Sequence, residues 1–343
     1  MTPNASPVGL CRLVCRHIGL VAVLAFMVTE VAAQQPRTAA DWIEKASRSG
    51  ESHSFVADVV YEQGSHIEAL RLWREAGDNT PLRERLRTLS GPPREILRTA
   101  DSTTYLMPSA SEPLAQRYSA RSLDLPGPDQ IDRLDAQYRL NIEGEGRIAG
   151  RPVQRIRLIP RDQFRYGYAL WIDRQTALVL RADVIDQDAM PVERFMIVDL
   201  EFYDDLDPES LNPVLADDSE SFEQITDRRR VDGDQALVHA DWSVGDLPEG
   251  FELEKDWAQM LAQRSTPVRH MLFSDGMATV SVYIERRDAS ERIEGPMSMG
   301  GVNIYARTQG NVQALVVGQV PMANVRRIAD SLVRASDSNA TGQ

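Results

Sequence analysis

The sequence predicts an α+β fold with two domains, and three observations support this prediction. The first is a series of short segments with apolar residues at alternate positions, separated by turn residues, between Phe55 and Phe202. The second is a polar stretch with little periodicity, from Asp204 to Arg230. The third is a further set of alternating segments that ends in an amphipathic helix. Because successive short strands joined by turns form antiparallel sheets, we expect one meandering sheet and then a smaller sheet with a terminal helix.

The first domain is predicted to begin with a helix and to continue as strands. Thr38 is placed to cap a short helix that carries Trp42, Ile43 and Ala46 on one side and ends before Gly50. The strands follow as runs in which every second residue is apolar, and Gly150-Arg151-Pro152 is the predicted turn of one hairpin. The runs are Phe55, Ala57, Val59 and Tyr61; Ile156 and Leu158; Leu178, Leu180, Ala182 and Val184; and Met196, Val198, Leu200 and Phe202.

The polar stretch is predicted to contain the domain boundary. We place the first domain at residues 38–212, a linker at 213–234, the second domain at 235–336 and a loose tail at 337–343. In the second domain, strands are predicted around Val280–Ile284 and Leu315–Val317. After Pro321, the residues Val325, Ile328, Ala329 and Leu332 have the spacing of an apolar helix stripe packed on that small sheet.

The first 33 residues have the features of a cleaved secretory signal. Arg12 and Arg16 precede an apolar run from Ile18 to Val28, and Val31-Ala32-Ala33 supplies the small residues of a cleavage site. The run is about half the roughly 20 residues that a membrane-spanning helix needs, so a retained anchor is the weaker alternative. We therefore expect an exported protein cleaved near Ala33; its place in the periplasm follows from the resemblance described below.

The two cysteines and the net charge exclude several classes of function. Cys11 and Cys15 both lie within the predicted signal, so the mature chain would have no disulfide, no catalytic thiol and no cysteine-bound metal. The formal net charge of the whole chain is −13, and removal of the signal makes it one unit more negative. Because phosphate backbones require a basic face, the charge argues against nucleic-acid binding.

Signatures of catalysis and of cofactor binding are not found in the sequence. The patterns G-x-S-x-G, S-x-x-K and H-E-x-x-H of common exported hydrolases are missing. The mature histidines His53, His66, His239 and His270 are too far apart in sequence to form a local metal pair. We expect no cofactor, no metal and no enzymatic activity, although a catalytic group assembled from distant residues stays open as a third hypothesis.

Three consecutive arginines, Arg228, Arg229 and Arg230, lie in the predicted linker. Such a cluster is a candidate site for a phosphate group or an acidic partner segment, because a guanidinium pairs bidentately with both. The alternative is that the three side chains are simply hydrated.

The sequence resembles the MucB/RseB family of periplasmic regulators over nearly the whole mature chain. Each matching segment is short, but their order and spacing together are specific. In the first domain the resemblance rests on Val59–Gly64, Ile67–Glu68, Glu84–Leu86, Gly91–Ile96 and Leu170–Asp173. In the second it rests on Trp242, Leu247–Phe251, Phe273–Ala278, Val280–Glu285, Asn303–Tyr305 and Val317–Pro321.

The resemblance implies a fold and a regulatory function. The first domain would be an unclosed antiparallel barrel like LolA and LolB, with helices over an apolar cavity, and the second a smaller α+β domain. The protein would bind the periplasmic segment of a membrane-spanning anti-sigma factor and shield it from proteolysis. Mislocalised lipopolysaccharide or lipoprotein acyl chains would release it. Whether the chain also forms a homo-oligomer stays open.

The alternation of apolar residues along the strands then predicts which residues would line the cavity. The alternative is that these residues belong to an ordinary packed core. Because the same half-barrel also suits a periplasmic lipoprotein or lipid carrier, that function is the second hypothesis. A separate second domain argues against it, since a simple carrier needs only the cavity. The nominated residues are Val59, Ile156, Leu158, Leu180, Val184, Val198 and Leu200.

Overall fold

The computed structural model describes residues 36–50, 52–77, 80–100, 102–108, 125–215, 222–228, 239, 241–259, 266–287 and 292–334. These residues all belong to one compact unit, Pro36–Gln343. The predicted signal at 1–33, Arg229, Arg230 and the predicted tail at 337–343 lie outside the described residues. Within the described ranges, no helix has both the length and the apolar character needed to cross a bilayer.

Nineteen strands and three α-helices are present in the described residues, together with a short 3-10 helix at Pro208–Leu211. The helices are α1 (Ala39–Ser49), α2 (Pro128–Gln137) and α3 (Met322–Asp330). The first eleven strands are β1 (Ser54–Gln63), β2 (His66–Gly77), β3 (Thr80–Thr88), β4 (Glu95–Thr99), β5 (Ser102–Pro108), β6 (Tyr138–Ile148), β7 (Arg151–Pro160), β8 (Gly167–Asp173), β9 (Val179–Ile185), β10 (Pro191–Tyr203) and β11 (Phe222–Arg228). The others are β12 (Trp242–Val244), β13 (Glu252–Gln259), β14 (Val268–Ser274), β15 (Thr279–Arg286), β16 (Gly295–Met299), β17 (Val302–Gln309), β18 (Val312–Gly318) and β19 (Leu332–Arg334).

The first domain is built on a single open antiparallel sheet of eleven strands. The strand order is β11-β5-β4-β3-β2-β1-β10-β9-β8-β7-β6, so β11 and β6 are the two edges and the sheet does not close. The tight turn between β6 and β7 is made by Ala149 and Gly150, both with positive φ, as such hairpins require. Arg151 and Pro152, predicted as part of this turn, already belong to β7. The predicted unclosed antiparallel sheet is confirmed.

The helix predicted after Thr38 is confirmed as α1. The Thr38 hydroxyl accepts a hydrogen bond from the Asp41 amide at 3.1 Å, and the Asp41 carboxylate accepts one from the Thr38 amide at 2.9 Å. This reciprocal pair is a capping box, which satisfies amides that have no partner inside the helix. The buried face of α1 includes Trp42 and Ile43.

Strand β11 lies inside the range that the sequence assigns to a linker. β10 lies in the middle of the sheet, whereas the next strand, β11, lies at one edge. There β11 pairs antiparallel with β5, from Phe222 opposite Pro108 to Arg228 opposite Ser102. The sequence from Phe222 to Arg228 has no alternation of apolar and polar residues. Backbone pairing alone defines this edge strand, and hydrophobic periodicity therefore does not reveal it.

The second domain contains a separate six-stranded sheet covered by a terminal helix, as predicted. Its strand order is β13-β14-β15-β18-β17-β16, and β12 pairs separately with β19. Val325, Ile328 and Ala329 of α3 pack with the sheet residues Val280 and Val316 in one core. The helix ends at Asp330, so Leu332, which the sequence assigned to the helix stripe, belongs instead to β19 and packs into the same core.

A β-bulge corrects one of the predicted cavity residues. In the pairing of β1 with β10, Ala57 lies opposite Leu200, Asp58 opposite Asp199 and Val59 opposite Ile197, so the register shifts by one residue at Val198. A bulge inserts an extra residue and interrupts the alternation of faces. As a result Ile197 is buried, with 2 % of its surface exposed, whereas Val198 is 46 % exposed. The prediction that Val198 points inward is wrong.

The bulge gives a testable difference between two neighbouring residues. We expect Ile197→Ala to lower the free energy of unfolding by about 2–5 kcal/mol, because it removes buried apolar volume. Val198→Ala is expected to change it by about 0.5 kcal/mol or less, since that side chain contacts solvent. Urea titrations of both variants measure the difference. A larger loss in Val198→Ala than in Ile197→Ala would mean that the strand alternates without a bulge.

Candidate functional site

The predicted cavity residues fall into two separate apolar clusters of the first domain. The helix-covered cluster contains Ile156, Leu158 and Val184. The sheet cluster contains Val59 and Leu180, with the half-buried Leu200 packed against it. Leu180 and Val184 were predicted to share a face with Leu178 and Ala182, but a register shift between β8 and β9 breaks that alternation. These residues therefore do not line one common surface.

The helix-covered cluster is closely packed. Trp42 and Ile43 of α1 and Leu134 of α2 belong to the same cluster as Ile156 and Leu158. Ile156 and Leu158 are 0 % exposed, which means that neither borders a space large enough for a water molecule. An acyl chain can reach these two residues only if some of the surrounding elements, which include α1 and α2, move.

The segment that leads from β10 to β11 is held against the sheet by a buried ion pair that sequence reasoning missed. Arg85 donates to Glu95 at 2.5 Å and to the Ser210 carbonyl at 2.8 Å. Glu95 also accepts from the amides of Val214 and Leu215, at 2.8 and 3.1 Å. In the sequence, Arg85 and Glu95 look like ordinary surface charges, because their partners are backbone groups far along the chain.

The two domains meet at a seam whose centre is Arg165, a fully buried side chain of the loop between β7 and β8. Its guanidinium donates to Asp275 of the second domain at 2.9 Å, to the Glu249 carbonyl at 2.5 Å and to Asp162 at 3.1 Å. Its Cζ atom also lies 5.4 Å from the ring centre of Phe251. One side chain of the first domain thus binds two loops of the second.

The same loop makes further contacts across the seam on both sides of Arg165. The side-chain amide of Asn303 donates to the Tyr166 hydroxyl at 3.0 Å, and that of Asn324 donates to the Phe164 carbonyl at 2.8 Å. Both asparagines are buried. Buried polar groups of this kind require a partner, so they define the position of the loop on the second domain.

Burial controls the ionisation of the groups that surround Arg165. Burial raises the pKa of Asp275 above its ordinary value, although hydrogen bonds from the amides of Ala278 and Met277 and the charge of Arg165 oppose the shift. Burial also raises the pKa of Tyr138 well above the usual value for tyrosine. The Tyr138 hydroxyl, therefore neutral, donates to Asp275 at 3.3 Å.

Two of the matched sequence motifs form the second-domain side of this seam. Leu247–Phe251 supplies the Glu249 carbonyl, and Phe273–Ala278 supplies Asp275. Gly250 has a φ of +85°, and a Cβ atom at this position would collide with the Gln137 side chain of α2. Close approach and positive φ together explain why glycine fits this position.

The candidate site at Arg228, Arg229 and Arg230 stays a prediction. Arg228 is the last residue of β11, opposite Ser102, while Arg229 and Arg230 lie outside the described ranges. In the part of the chain that the structure describes, no three His, Cys, Asp or Glu side chains are grouped to hold a metal ion.

Comparison with known proteins identifies the family. The model of the MucB/RseB N-terminal domain matches residues 38–215, and that of the MucB/RseB C-terminal domain matches residues 237–333. The chain belongs to the MucB/RseB family. The resemblance drawn from the motifs is thereby confirmed.

Relatives within the MucB/RseB family carry regulatory names. The sigma factor AlgU regulatory protein MucB of Pseudomonas aeruginosa is 28 % identical over 328 residues, which cover 92 % of this chain and 97 % of MucB. The sigma-E factor regulatory protein RseB of Escherichia coli K12 is 26 % identical over 289 residues, 81 % of this chain and 84 % of RseB.

A solved MucB/RseB structure agrees with the fold. In the complex of Pseudomonas aeruginosa MucA and MucB, the matched chain superimposes with a TM-score of 0.65 at 26 % identity. The match covers 86 % of this chain and 98 % of that chain.

The seam gives a second prediction. We expect Arg165→Met to lower the free energy of unfolding by about 3–5 kcal/mol, because it leaves the buried Asp275 carboxylate without its cation. Arg133→Ala is the matched control: Arg133 also crosses the seam, to Glu252 at 2.9 Å, but both side chains are exposed. Exposed pairs contribute about 0–1 kcal/mol, so the control should lose little. Guanidinium chloride titrations measure both losses, and similar losses would contradict the central place given to Arg165.

Proposed function

We propose that this chain is a periplasmic negative regulator of sigma-factor signalling. It binds the periplasmic segment of a membrane-spanning anti-sigma factor, shields that segment from proteolysis, and releases it when mislocalised lipopolysaccharide or lipoprotein is present. The export signal read from residues 1–33 places it in the periplasm in this proposal.

The observation that carries the proposal is the match to MucB along nearly the whole of both chains. It includes both family domains and extends to 98 % of a MucB chain solved in complex with MucA. The match therefore includes both domains that are present in the partner-bound MucB chain. The seam around Arg165 supports this further, because it fixes the second domain to the first, whereas a carrier needs only the cavity domain.

The lipid part of the proposal has a defined structural requirement. An acyl chain of about 12 carbons gains up to roughly 10 kcal/mol on burial, at about 0.8 kcal/mol per methylene. Moving a two-state equilibrium from 1:99 to 99:1 requires about 5.5 kcal/mol of differential affinity. The difference between these values leaves at most about 4–5 kcal/mol to cover both the ordering of the acyl chain and the displacement of α1 or α2 from the helix-covered cluster. Lipid would therefore act by separating a helix from the sheet.

Binding and shielding are tested with the mature protein and the anti-sigma periplasmic segment from the same organism. We expect saturable binding by isothermal titration, and a slower cleavage of the segment by a broad-specificity protease when the protein is added. A segment of scrambled sequence and identical composition is the control. No binding, or binding equal to that of the scrambled segment, would reject the regulator.

The movement of α1 is tested through Trp42, which is buried in the helix-covered cluster. Adding an acylated lipopolysaccharide fragment is expected to change the tryptophan fluorescence and to release the bound segment, whereas the deacylated fragment should do neither. In Trp42→Phe the release should persist while the fluorescence change is largely lost, because the other four tryptophans lie elsewhere. Release without any change in Trp42 fluorescence would exclude movement of α1. If lipid does not alter binding of the segment, the lipid-triggered release is rejected and only the shielding function stands.

A further inference from the structure

The buried carboxyl group of Glu193 lies at a second contact between the domains. Glu193 of β10 is 9 % exposed, and the side-chain amide of Gln319, between β18 and α3, donates to it at 2.5 Å. The turn between β16 and β17 is close to Glu193: a Cβ atom on Gly301 would be 3.4 Å from Val192 and 3.6 Å from the Glu193 carboxylate. We name this contact, made by Gln63, Val192, Glu193, Gly300, Gly301 and Gln319, the Glu193 joint.

The groups that face Glu193 are polar but carry no opposite charge in the described part of the chain. Gln319 of the second domain hydrogen-bonds to the carboxylate, and the polar side chains of Tyr61 and Gln63 of β1 are close enough to lower its pKa. Tyr168 of β8 is close enough for the charge of Glu193 to act on it. The nearest charges on β2 are already engaged, since Glu68 pairs with Arg94 and with His66.

The adjacent residue, Arg194, has charged partners, whereas Glu193 has none in the described residues. Arg194 lies on the other side of the same strand and pairs with Asp183 at 3.0 Å and with Glu62 at 2.9 Å. Burial is the dominant influence on Glu193 and raises its pKa to about 7, while the polar side chains of Tyr61, Gln319 and Gln63 oppose the shift. Such a carboxyl changes its charge near neutral pH, at a place where the domains touch.

We propose that Glu193 makes the attachment of the second domain to the first-domain sheet dependent on pH. In the neutral form the carboxyl keeps its contact with Gln319 and brings no charge into the joint. In the ionised form a carboxylate is enclosed without a cation, and separation of the β16–β17 turn from the sheet hydrates it. Higher pH therefore loosens the Glu193 joint, and acid tightens it.

The direction follows from proton binding. The folded-state pKa of about 7 exceeds the ordinary glutamate value of 4.5. The stabilisation is therefore fully present below pH 4.5 and is lost as the pH rises through 7. Within this window the closed joint binds more protons than the open one. The equilibrium constant for opening should increase by about tenfold per pH unit between pH 5 and pH 6.5, and should level off above about pH 7.5.

Hydrogen–deuterium exchange of the mature protein alone tests the proposal. Protection factors, corrected for the intrinsic pH dependence of exchange, are measured for a peptide covering β16 and β17 from pH 5 to pH 8. A peptide covering β14, away from the joint, is the internal control. We expect the first to lose about tenfold protection per pH unit up to about pH 6.5 and the second to change much less.

Two variants test whether Glu193 causes the pH dependence of protection. Glu193→Gln keeps the size of the side chain without its charge, and should make the protection of β16 and β17 independent of pH. Glu62→Gln, the matched control on the exposed side of the strand pair, should keep the wild-type dependence. A wild-type profile without pH dependence, or an unchanged profile in Glu193→Gln, would overturn the proposal. No partner or lipid is present, so the outcome is separate from that of the proposed function.

Discussion

The attachment of the second domain to the first depends on one guanidinium group, that of Arg165. It is enclosed completely, and its donors reach a carboxylate and a backbone carbonyl of the second domain as well as Asp162 of its own loop. A buried charge of this kind is tolerated only when its hydrogen bonds are made and an opposite charge is near. The two domains therefore cannot separate at this point without leaving both Arg165 and Asp275 poorly solvated. Asn303 and Asn324 add specificity on both sides, so the loop has one defined position.

Irregularities in the large sheet determine which apolar residues lie inside the first domain. At Val198 and near Leu180 the pairing register shifts, and each shift changes the face on which the following residues lie. The consequence is two apolar clusters instead of one continuous lining. The helix-covered cluster includes residues of α1 and α2, whereas the members described for the sheet cluster come from strands, such as Leu70 and Leu72 of β2, and from the loop residue Leu178 before β9.

Features that depend on local pattern could be predicted from the sequence. The capping box at Thr38 and the stripe from Val325 to Ala329 needed only neighbouring residues, and both helices are present. The family and its fold followed from the order of motifs. Bulges such as the one at Val198 could not be read, because the alternation of apolar residues continues through them in the sequence. The partners of Arg165, Arg85 and Glu193 could not be read either, since they come from distant segments and are often backbone atoms.

The long crossing from β10 to β11 has a consequence for dividing the chain into parts. The sheet of the first domain is completed by β11, which pairs with all seven residues of β5. A fragment that stops at residue 212 or 215 would present β5 as a bare edge, open to strands of other molecules. An isolated first domain must therefore extend through Arg228 to keep the edge of β5 paired. The structural end of the first domain therefore lies at Arg228 or beyond, whereas the composition of the sequence suggests an end at residue 212.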